Sequence, residues 1–299
     1  MHLHSVYSDG KLTPRQIVKK LAQAKINFAV LSDHDTVSGV GEFAREAKLA
    51  KIDTMPGVEI SAEEHGIGVH ILGYGININD KRLMDIFKKQ QAERRKAFDR
   101  YVALFKKAGF IINRRKYLEF RKIKSVAKPH VFRLIWDVPQ NQKLCYEKYH
   151  FQKSKFGPQT EFIQAFMESP DQLAYVNKKS ITAKNAIQSI HAAGGVAVWA
   201  HPGIEIEFKN EKIFNEVLKG LLSNGIDGIE SFSSSRHLTK ARIKYLYGLT
   251  RRHKLIATIG SDDHDGTRIG TKLSTLKVPR RYHEDGLTEL KLKLAVNSK

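Results

Sequence analysis

Residues 28–35, FAVLSDHD, begin as an apolar run and end in acidic and imidazole side chains. The same shape recurs at residues 54–61 (TMPGVEIS), 68–76 (GVHILGYGI), 194–203 (GGVAVWAHPG), 225–233 (GIDGIESFS) and 256–264 (IATIGSDDH). Short apolar runs of this kind, bounded by turn residues, are typical of buried strands. Each predicted strand therefore ends in a side chain that can bind a ligand or carry chemistry.

Helical patterns separate several of these runs. In residues 12–26, Thr13 precedes Pro14 and apolar residues follow at helical spacing, which predicts an amphipathic helix with an N-cap. Further helices are predicted over 38–50, 182–193, 209–224 and 238–253. Strands that alternate with helices indicate an α/β fold with a largely parallel sheet. Because so many strand ends are polar, a closed or nearly closed barrel fits better than an open doubly wound sheet.

Length and composition restrict the class of protein. The 299 residues suffice for one large α/β domain, or for a core domain with an insertion. No apolar run approaches the ~18 residues of a membrane span, and no secretory signal is visible. Cys145 is the single cysteine, which excludes an internal disulfide framework. These features predict a cytoplasmic protein without membrane association, and no obligate protein partner is inferred.

The net charge of +20 is unevenly distributed. Residues 79–178 hold 23 Lys and Arg against 10 Asp and Glu, so they account for +13. Within them, 80–107 is predicted as one long basic helix. We therefore predict a barrel domain from 1–78 and 179–299, with 79–178 as a basic helical insertion over the barrel mouth. A polyanionic partner would explain the charge, and a generally lysine-rich proteome would explain it equally well.

Nine side chains of metal-ligand type lie at predicted strand ends or just after them. They are His2, His4, Asp9, His34, Glu59, His70, His201, Asp262 and His264. Any one of them alone is more simply a core residue with its hydrogen bonds satisfied, but burying all nine without a cation would be costly. Imidazole and carboxylate without thiolate suit manganese, zinc or iron. Two such ions ~4 Å apart polarise a phosphoryl group and generate hydroxide near neutral pH.

Covalent and nucleotide-binding motifs are absent from the sequence. There is no G-x-S-x-G elbow, and Cys145 lies in a polar helical stretch with no base beside it. No Walker-type loop or G-x-G-x-x-G follows a predicted strand. Metal-assisted hydrolysis is therefore the chemistry that the sequence favours.

The order of these motifs resembles the PHP (polymerase and histidinol phosphatase) family of metal-dependent phosphoesterases. The motifs are HLHSVYSDG, LSDHDT, PGVEIS, VHILGYGI, AHPG and GSDDHDG, and they span residues 2–266. The resemblance implies a distorted (β/α)7 TIM-like barrel with three metals at the strand ends. Family members usually have several residues before the first histidine, whereas only Met1 precedes His2, so either the start site is set too late or the first strand is shortened.

The resemblance also implies which residues hold each metal. His2, His4, Glu59 and Asp262 would hold the first. Glu59 would bridge to a second metal, which His70 and His201 complete. Asp9, His34 and His264 would hold the third. We therefore expect two to three divalent ions per chain, with Mn²⁺ foremost and Zn²⁺ or Fe²⁺ as alternatives.

Within the family, the chain is similar to the subgroup of 5′-to-3′ exoribonucleases of the RNase AM type and nucleoside 3′,5′-bisphosphate phosphatases. That subgroup carries a PH-x-x-R element in a helical insertion, matched here by Pro129, His130 and Arg133. The resemblance implies that Lys128, His130 and Arg133 bind substrate phosphate. It makes His130 or His201 the candidate that protonates the leaving oxygen, while Glu59 positions the metals.

The sequence thus predicts a metal-dependent phosphoric ester hydrolase acting on a phosphorylated nucleotide or short RNA. A 5′-to-3′ exoribonuclease or a nucleoside 3′,5′-bisphosphate phosphatase fits best. One alternative is a small-metabolite phosphatase of the sugar-phosphate or histidinol-phosphate type, with an incidental basic insertion. Another is a non-enzymatic nucleic-acid-binding protein with a structural metal site, although such a site needs only about four ligands.

Overall fold

The computed structural model describes residues 2–152, 157–202, 210–233, 239–269 and 280–297. The chain divides into two compact units. The first comprises Met1–Phe87 and Ser180–Lys299, and the second comprises Lys88–Lys179. The first unit contains all nine ligand-type side chains. The second is strongly basic, with 22 Lys and Arg against 8 Asp and Glu.

A six-stranded mixed sheet forms the centre of the first unit. Its strands are β1 Gly57–Glu64, β2 Ile67–Tyr74, β3 Ile181–Thr182, β4 Val196–Trp199, β5 Gly228–Ser233 and β6 Ile256–Gly260, in the spatial order β3-β1-β2-β4-β5-β6. The β1–β3, β4–β5 and β5–β6 pairs are parallel. The β1–β2 and β2–β4 pairs are antiparallel, so the expectation of a largely parallel sheet is wrong for these pairs.

A tight turn causes the reversal between β1 and β2. Only His65 and Gly66 separate the two strands, and both adopt left-handed backbone angles, with φ of 52° and 75°. Two left-handed residues in succession are typical of the hairpin turn that matches strand twist. A connection this short joins only antiparallel neighbours, since a parallel pair needs a long crossover.

The described residues do not form the closed (β/α)7 barrel that the resemblance implied. The segments near Leu3 and Leu31 form isolated bridges instead of strands: Leu3 pairs with Leu31 and with Asp263, Phe28 pairs with Asp53, and His34 pairs with Glu59 of β1. Each bridge involves a single pair of residues, because the chain turns after His4 and again at Asp35, where φ is 49°. The observed fold is thus an α/β fold with an open mixed sheet.

Helices cover the sheet of the first unit much as the sequence pattern predicts. They are α1 Pro14–Gln23, α2 Val40–Leu49, α8 Ala183–Ala192, α9 Glu211–Ser223, α10 Lys240–His253 and α11 Arg280–Asn297. The Thr13 N-cap is confirmed: its side chain accepts from the Gln16 backbone N–H, and the Gln16 side chain accepts from the Thr13 N–H. Apolar residues of α8, α9 and α10 pack on the sheet around the buried Trp199.

The second unit is helical. The long helix α3, Lys81–Lys107, contributes its C-terminal part, followed by α4 Arg114–Arg121, α5 Lys128–Trp136, α6 Pro139–Tyr149 and α7 Pro158–Phe166. Its core is aromatic, with Phe105, Phe162 and Phe166 in mutual ring contact. Burial raises the pKa of the Cys145 thiol to about 12, so this thiol is held in its unreactive form. Among the described helices, none has the length and apolar character needed to cross a membrane.

Candidate metal centre

The first unit brings together all nine side chains that the sequence singled out, but Glu59 and His70 lie within β1 and β2 and not at their ends. Backbone geometry at the strand ends contributes to this, since His201 and Asp262 both adopt left-handed angles, with φ of 27° and 46°. Such angles are uncommon for residues with a side chain and concentrate at functional sites. They turn the chain sharply just past each strand.

Four side chains form the first group, and their ligand atoms all lie within 4.8 Å of one another. His2 Nε2 and His4 Nε2 are 3.0 Å apart. They lie 3.2 and 3.1 Å from the same oxygen, Oε2 of Glu59. Asp262 Oδ1 completes the group at 3.2 Å from His4 and 3.7 Å from His2. This is the set that the family resemblance assigned to the first metal.

A second group surrounds the other side of the Glu59 carboxylate. His70 Nδ1 and His201 Nε2 lie 3.2 and 3.0 Å from Glu59 Oε1 and 3.3 Å from each other. His34 Nδ1 lies 3.1 Å from Glu59 Oε2, so His34 also belongs to the surroundings of this carboxylate. Glu59 therefore contacts both groups, one through each oxygen.

The third group gathers around Asp9. His264 Nε2 lies 3.3 Å from Asp9 Oδ1, and His34 Nε2 lies 3.8 Å from Asp9 Oδ2. His4 also faces Asp9, with its Nδ1 3.9 Å from Oδ1. The resemblance assigned Asp9, His34 and His264 to one metal, and the structure adds His4 to their surroundings.

The donor atoms fit divalent ions in both spacing and environment. Metal–ligand bonds of about 2.0–2.2 Å place neighbouring ligands of one ion roughly 3.0–3.5 Å apart, which matches most separations in the first two groups. Glu59 Oε2 is buried and has no hydrogen-bond partner among the described residues, although three imidazole nitrogens lie close to it. His34 Nδ1 is similarly buried without one. A bound cation would give these buried atoms the partner that they lack, since they converge at the spacing of metal ligands.

Protonated imidazoles balance the buried carboxylates when no metal is bound. Burial disfavours the charged form of His2, but the carboxylates of Glu59 and Glu230 outweigh burial and raise its pKa to about 10. Likewise, burial opposes the protonation of His264, but Asp9 and Asp262 raise its pKa to about 10. The cluster therefore needs positive charge, and protons supply it when metals do not.

Metal binding is expected to release protons near neutral pH. With pKa values of about 10, His2 and His264 hold protons at pH 7 that a metal must displace. Apparent metal affinity should therefore rise as pH rises from 6 to 8. Calorimetric titration of metal-free protein with Mn²⁺ in buffers of different ionisation enthalpy measures the number of protons released, to which His2, His264 and also His4, whose pKa is raised against burial by Asp262 and Glu59, contribute. An observed heat that does not depend on the buffer would contradict this charge assignment.

Glu230 is a functional candidate that the sequence analysis left unassigned. It is fully buried on β5, where its Oε1 lies 3.1 Å from His2 Nδ1 and its Oε2 accepts from the His201 backbone N–H at 3.0 Å. This carboxylate fixes the His2 ring so that Nε2 faces the first group, an arrangement that raises ligand basicity. Gly260 makes room for it, since a Cβ there would collide with Glu230 and with the Cβ of His2.

Replacing Glu230 with glutamine is expected to weaken metal binding about 10- to 100-fold, because an amide cannot support His2 as a carboxylate does. Equilibrium dialysis with Mn²⁺ measures this directly. Glu64→Gln, on β1, is the matched control, since its carboxylate contacts Asn224 instead. Equal affinity in Glu230→Gln and Glu64→Gln would rule out a positioning role for Glu230.

A buried carboxylate also fixes the loop that carries the first histidines. Asp33 accepts hydrogen bonds from the Ser5 backbone N–H and hydroxyl at 2.7 and 2.6 Å, and from the Ser8 hydroxyl at 2.6 Å. These bonds hold the chain between His4 and Asp9. The serines in HLHSVYSDG were the available sequence signal, but their partner cannot be identified from spacing alone.

The three predicted substrate-binding residues lie in the second unit. His130 is buried, and its Nδ1 accepts from the Ala127 backbone N–H at 3.0 Å. A ring nitrogen used in this way is unprotonated, so Nε2 carries the proton and can donate a hydrogen bond. This geometry favours His130 as a hydrogen-bond donor over His130 as the acid that protonates a leaving group. It also makes His130 the cap of α5.

Lys128 and Arg133 flank His130 on the same helix. Lys128 forms an ion pair with Glu168 at 2.7 Å. The Arg133 guanidinium lies 5.4 Å from the centre of the Phe120 ring, and its Nε donates to the Pro129 carbonyl at 3.4 Å. Both side chains are thus held in place by neighbours within this unit.

Known proteins match this chain over most of its length. A 5′-3′ exoribonuclease from Haemophilus influenzae is 28% identical over 265 residues, which cover 88% of this chain and 89% of that protein. A 3′,5′-nucleoside bisphosphate phosphatase from Chromobacterium violaceum is 26% identical over 269 residues, covering 88% and 86%. The solved structure of an amidohydrolase from Chromobacterium violaceum shares the fold, with a TM-score of 0.77 at 24% identity over 98% and 95% of the two chains.

The sequence model of the PHP domain family matches residues 1–247. This range covers most of the first unit and all of the second. This range contains seven of the nine clustered side chains, and Asp262 and His264 follow it on the chain. The chain therefore belongs to the PHP domain family of metal-dependent phosphoesterases and is a phosphoester hydrolase.

Proposed function

We propose that this protein is a 5′-to-3′ exoribonuclease that also hydrolyses nucleoside 3′,5′-bisphosphates. The convergence of imidazole nitrogens on both oxygens of the buried Glu59 carboxylate is the observation that carries the proposal. Relatives named for RNA and for nucleoside bisphosphates support the substrate class. The basic composition of the second unit agrees with a polyanionic substrate.

We propose two to three divalent ions as the resident cofactor, with Mn²⁺ foremost. His2, His4, Glu59 and Asp262 would hold one ion; Glu59 with His70 and His201 a second; and Asp9, His34 and His264 a third. When bound, such ions supply Lewis-acid polarisation of a phosphoryl group and an acidified water. The oxygen and nitrogen donors suit manganese, zinc and iron alike.

The residues of the chain would then position and protect the reacting groups. Glu59 holds the two halves of the cluster at a fixed separation, and Glu230 and Asp33 fix His2 and the loop after His4. Burial of this cluster limits competing water, which strengthens each electrostatic contact. His201 is better suited to ligation than to proton transfer, because its Nε2 already faces Glu59 at 3.0 Å.

We further propose that Lys128, His130 and Arg133 contact a phosphate of the substrate. A guanidinium suits a phosphate because it donates in a fixed fork, and the His130 Nε2–H is an additional donor. Arg133→Gln is expected to raise KM for a nucleoside bisphosphate about tenfold and to leave kcat within a few-fold, the pattern of lost uniform binding. Steady-state kinetics of phosphate release measures both. An unchanged KM would remove Arg133 from the binding site.

The decisive experiment follows the direction of RNA degradation. A short 5′-phosphorylated RNA labelled at its 3′ end is incubated with protein and Mn²⁺, with His34→Ala as the control. We expect stepwise loss of mononucleotides from the 5′ end in wild type and none in His34→Ala. Phosphate release from a nucleoside bisphosphate or a sugar phosphate, without RNA cleavage, would indicate a metabolite phosphatase. RNA binding that survives chelation, with no turnover under any metal, would indicate a non-enzymatic binding protein.

A further inference from the structure

One exposed face of α4 is separate from every residue assigned so far. Arg114, Arg115, Leu118, Glu119 and Lys122 lie on this exposed surface. The helix buries none of its own residues, so this side of the second unit is presented to solvent. Neither the metal centre nor the Lys128–Arg133 segment uses it.

Two cations on this face lack a carboxylate partner among the described residues. Neighbouring cations are paired: Arg115 with Glu119 at 3.1 Å, and Arg121 with Asp99 at 3.0 Å. Arg114 and Lys122 have no such ion pair within the described part of the chain. An external anion would therefore not have to displace a carboxylate of these residues to contact either cation.

Arg114, Leu118 and Lys122 are spaced four residues apart and therefore share one side of α4; we name these three residues the α4 strip. Leu118 lies between the two cations and is 47% exposed. The α4 strip thus combines two positive ends with an apolar middle.

We propose that the α4 strip is a docking surface for single-stranded RNA. This inference rests on the proposed function and extends it to the part of a polynucleotide that lies beyond the nucleotide being cleaved. Eight residues of helix span about 12 Å. A stacked strand advances about 3.4 Å per nucleotide, so the strip spans about three to four nucleotides.

The chemistry of the strip matches a single strand rather than a small substrate. Arg114 and Lys122 would each meet a phosphate, and Leu118 would contact the apolar face of a sugar or base between them. A nucleoside bisphosphate carries its phosphates on one nucleoside and cannot present a series of them along 12 Å of helix. The strip should therefore contribute to RNA binding and not to bisphosphate hydrolysis.

The test compares two double variants that remove the same charge. R114Q/K122Q alters the α4 strip, and K19Q/K48Q alters exposed lysines on α1 and α2 of the first unit. Fluorescence anisotropy measures binding of a 5′-phosphorylated, 3′-labelled oligoribonucleotide to full-length protein in excess EDTA, from 50 to 300 mM KCl. Since each neutralised phosphate on a single strand contributes about 0.7 to the log–log salt slope, R114Q/K122Q should lower that slope by about 1.4.

At 100 mM salt the same loss weakens RNA binding by at least about tenfold, while K19Q/K48Q should bind as wild type does. With metal restored, R114Q/K122Q should keep the wild-type KM and kcat on a nucleoside bisphosphate. Leu118→Ala should weaken RNA binding without altering the salt slope, which separates the apolar contact from the ionic ones.

The outcomes distinguish this inference from the proposed function. Equal RNA affinity and salt slope in R114Q/K122Q and wild type would overturn the docking surface, even if wild type degrades RNA. If R114Q/K122Q loses binding to vesicles of anionic phospholipid but keeps wild-type RNA binding, the RNA docking surface is overturned. The partner of the α4 strip would then be a lipid surface. Weakened RNA binding in R114Q/K122Q would support the inference even if wild type hydrolyses only bisphosphates.

Discussion

Turnover of every phosphoester substrate is expected to fall roughly a thousandfold when Glu59 is replaced by glutamine, a loss of several kcal/mol of transition-state stabilisation. The substitution keeps the shape of the side chain and removes one negative charge. That charge faces His2, His4 and His34 through one oxygen and His70 and His201 through the other. Few changes elsewhere in the molecule would affect so many of the clustered groups.

Electrostatics determines the direction of this effect. Burial opposes ionisation of Glu59, but the surrounding imidazoles of His34, His2 and His70 outweigh burial and hold its pKa well below its usual range. The carboxylate is therefore charged at every pH of interest. A glutamine amide in its place would turn its NH₂ group toward the imidazole nitrogens on one side. Only one oxygen, instead of two, would then be left to ligate metal.

Glu63→Gln is the matched control, because Glu63 lies on the same strand but is exposed to solvent. Initial rates of phosphate release from a nucleoside 3′,5′-bisphosphate, at saturating Mn²⁺, compare the two variants with wild type. Circular dichroism confirms that both variants fold. If Glu59→Gln retains more than about a tenth of wild-type kcat, Glu59 is not the bridging residue.

Removal of metal is expected to abolish turnover and to lower the melting temperature by roughly 5–10 °C. A ligand that binds only the folded state at 100 times its Kd stabilises by about 2.7 kcal/mol. In a protein of this size each kcal/mol shifts Tm by about 2–4 °C. The physical reason is the clustering of buried carboxylates and imidazoles, which bound cations relieve.

Differential scanning fluorimetry before and after chelation measures the shift, and added Mn²⁺ should restore both Tm and activity. His34→Ala is the control: it removes a side chain that faces both Glu59 and Asp9, so its Tm should respond less to Mn²⁺. Full activity after exhaustive chelation would contradict a metal-dependent mechanism. A Tm that chelation leaves unchanged would contradict the structural part of the prediction.

Much of this site could be predicted because its residues lie on apolar strands or just past them. His201 and Asp262 lie two residues past β4 and β6, whereas Glu59 and His70 lie within β1 and β2. A strand that ends in a polar side chain is visible in the sequence itself. The Thr13 cap and the helices around the sheet were predictable for a similar reason, since capping and periodicity are local.

Features that depend on distant partners could not be predicted. The chain reverses direction at His65 and Gly66, and the sequence pattern of this turn is weak. The reversal makes the sheet mixed, whereas the alternation of strands and helices had indicated parallel pairing. Glu230 ends a predicted strand, but only the folded chain shows that it meets His2, 228 residues away. The role of His130 as the cap of α5 depends on the Ala127 backbone N–H, which no motif specifies.

The most direct test of the metal-centre account titrates metal-free protein with Mn²⁺ while two quantities are followed together. Equilibrium dialysis gives the ions bound per chain, and phosphate release from a nucleoside 3′,5′-bisphosphate gives the rate. If the metal-centre account is right, turnover appears as the second ion binds, and Glu59→Gln loses both the second ion and the turnover. Full turnover with one ion or none, or wild-type ion binding and turnover in Glu59→Gln, would contradict it.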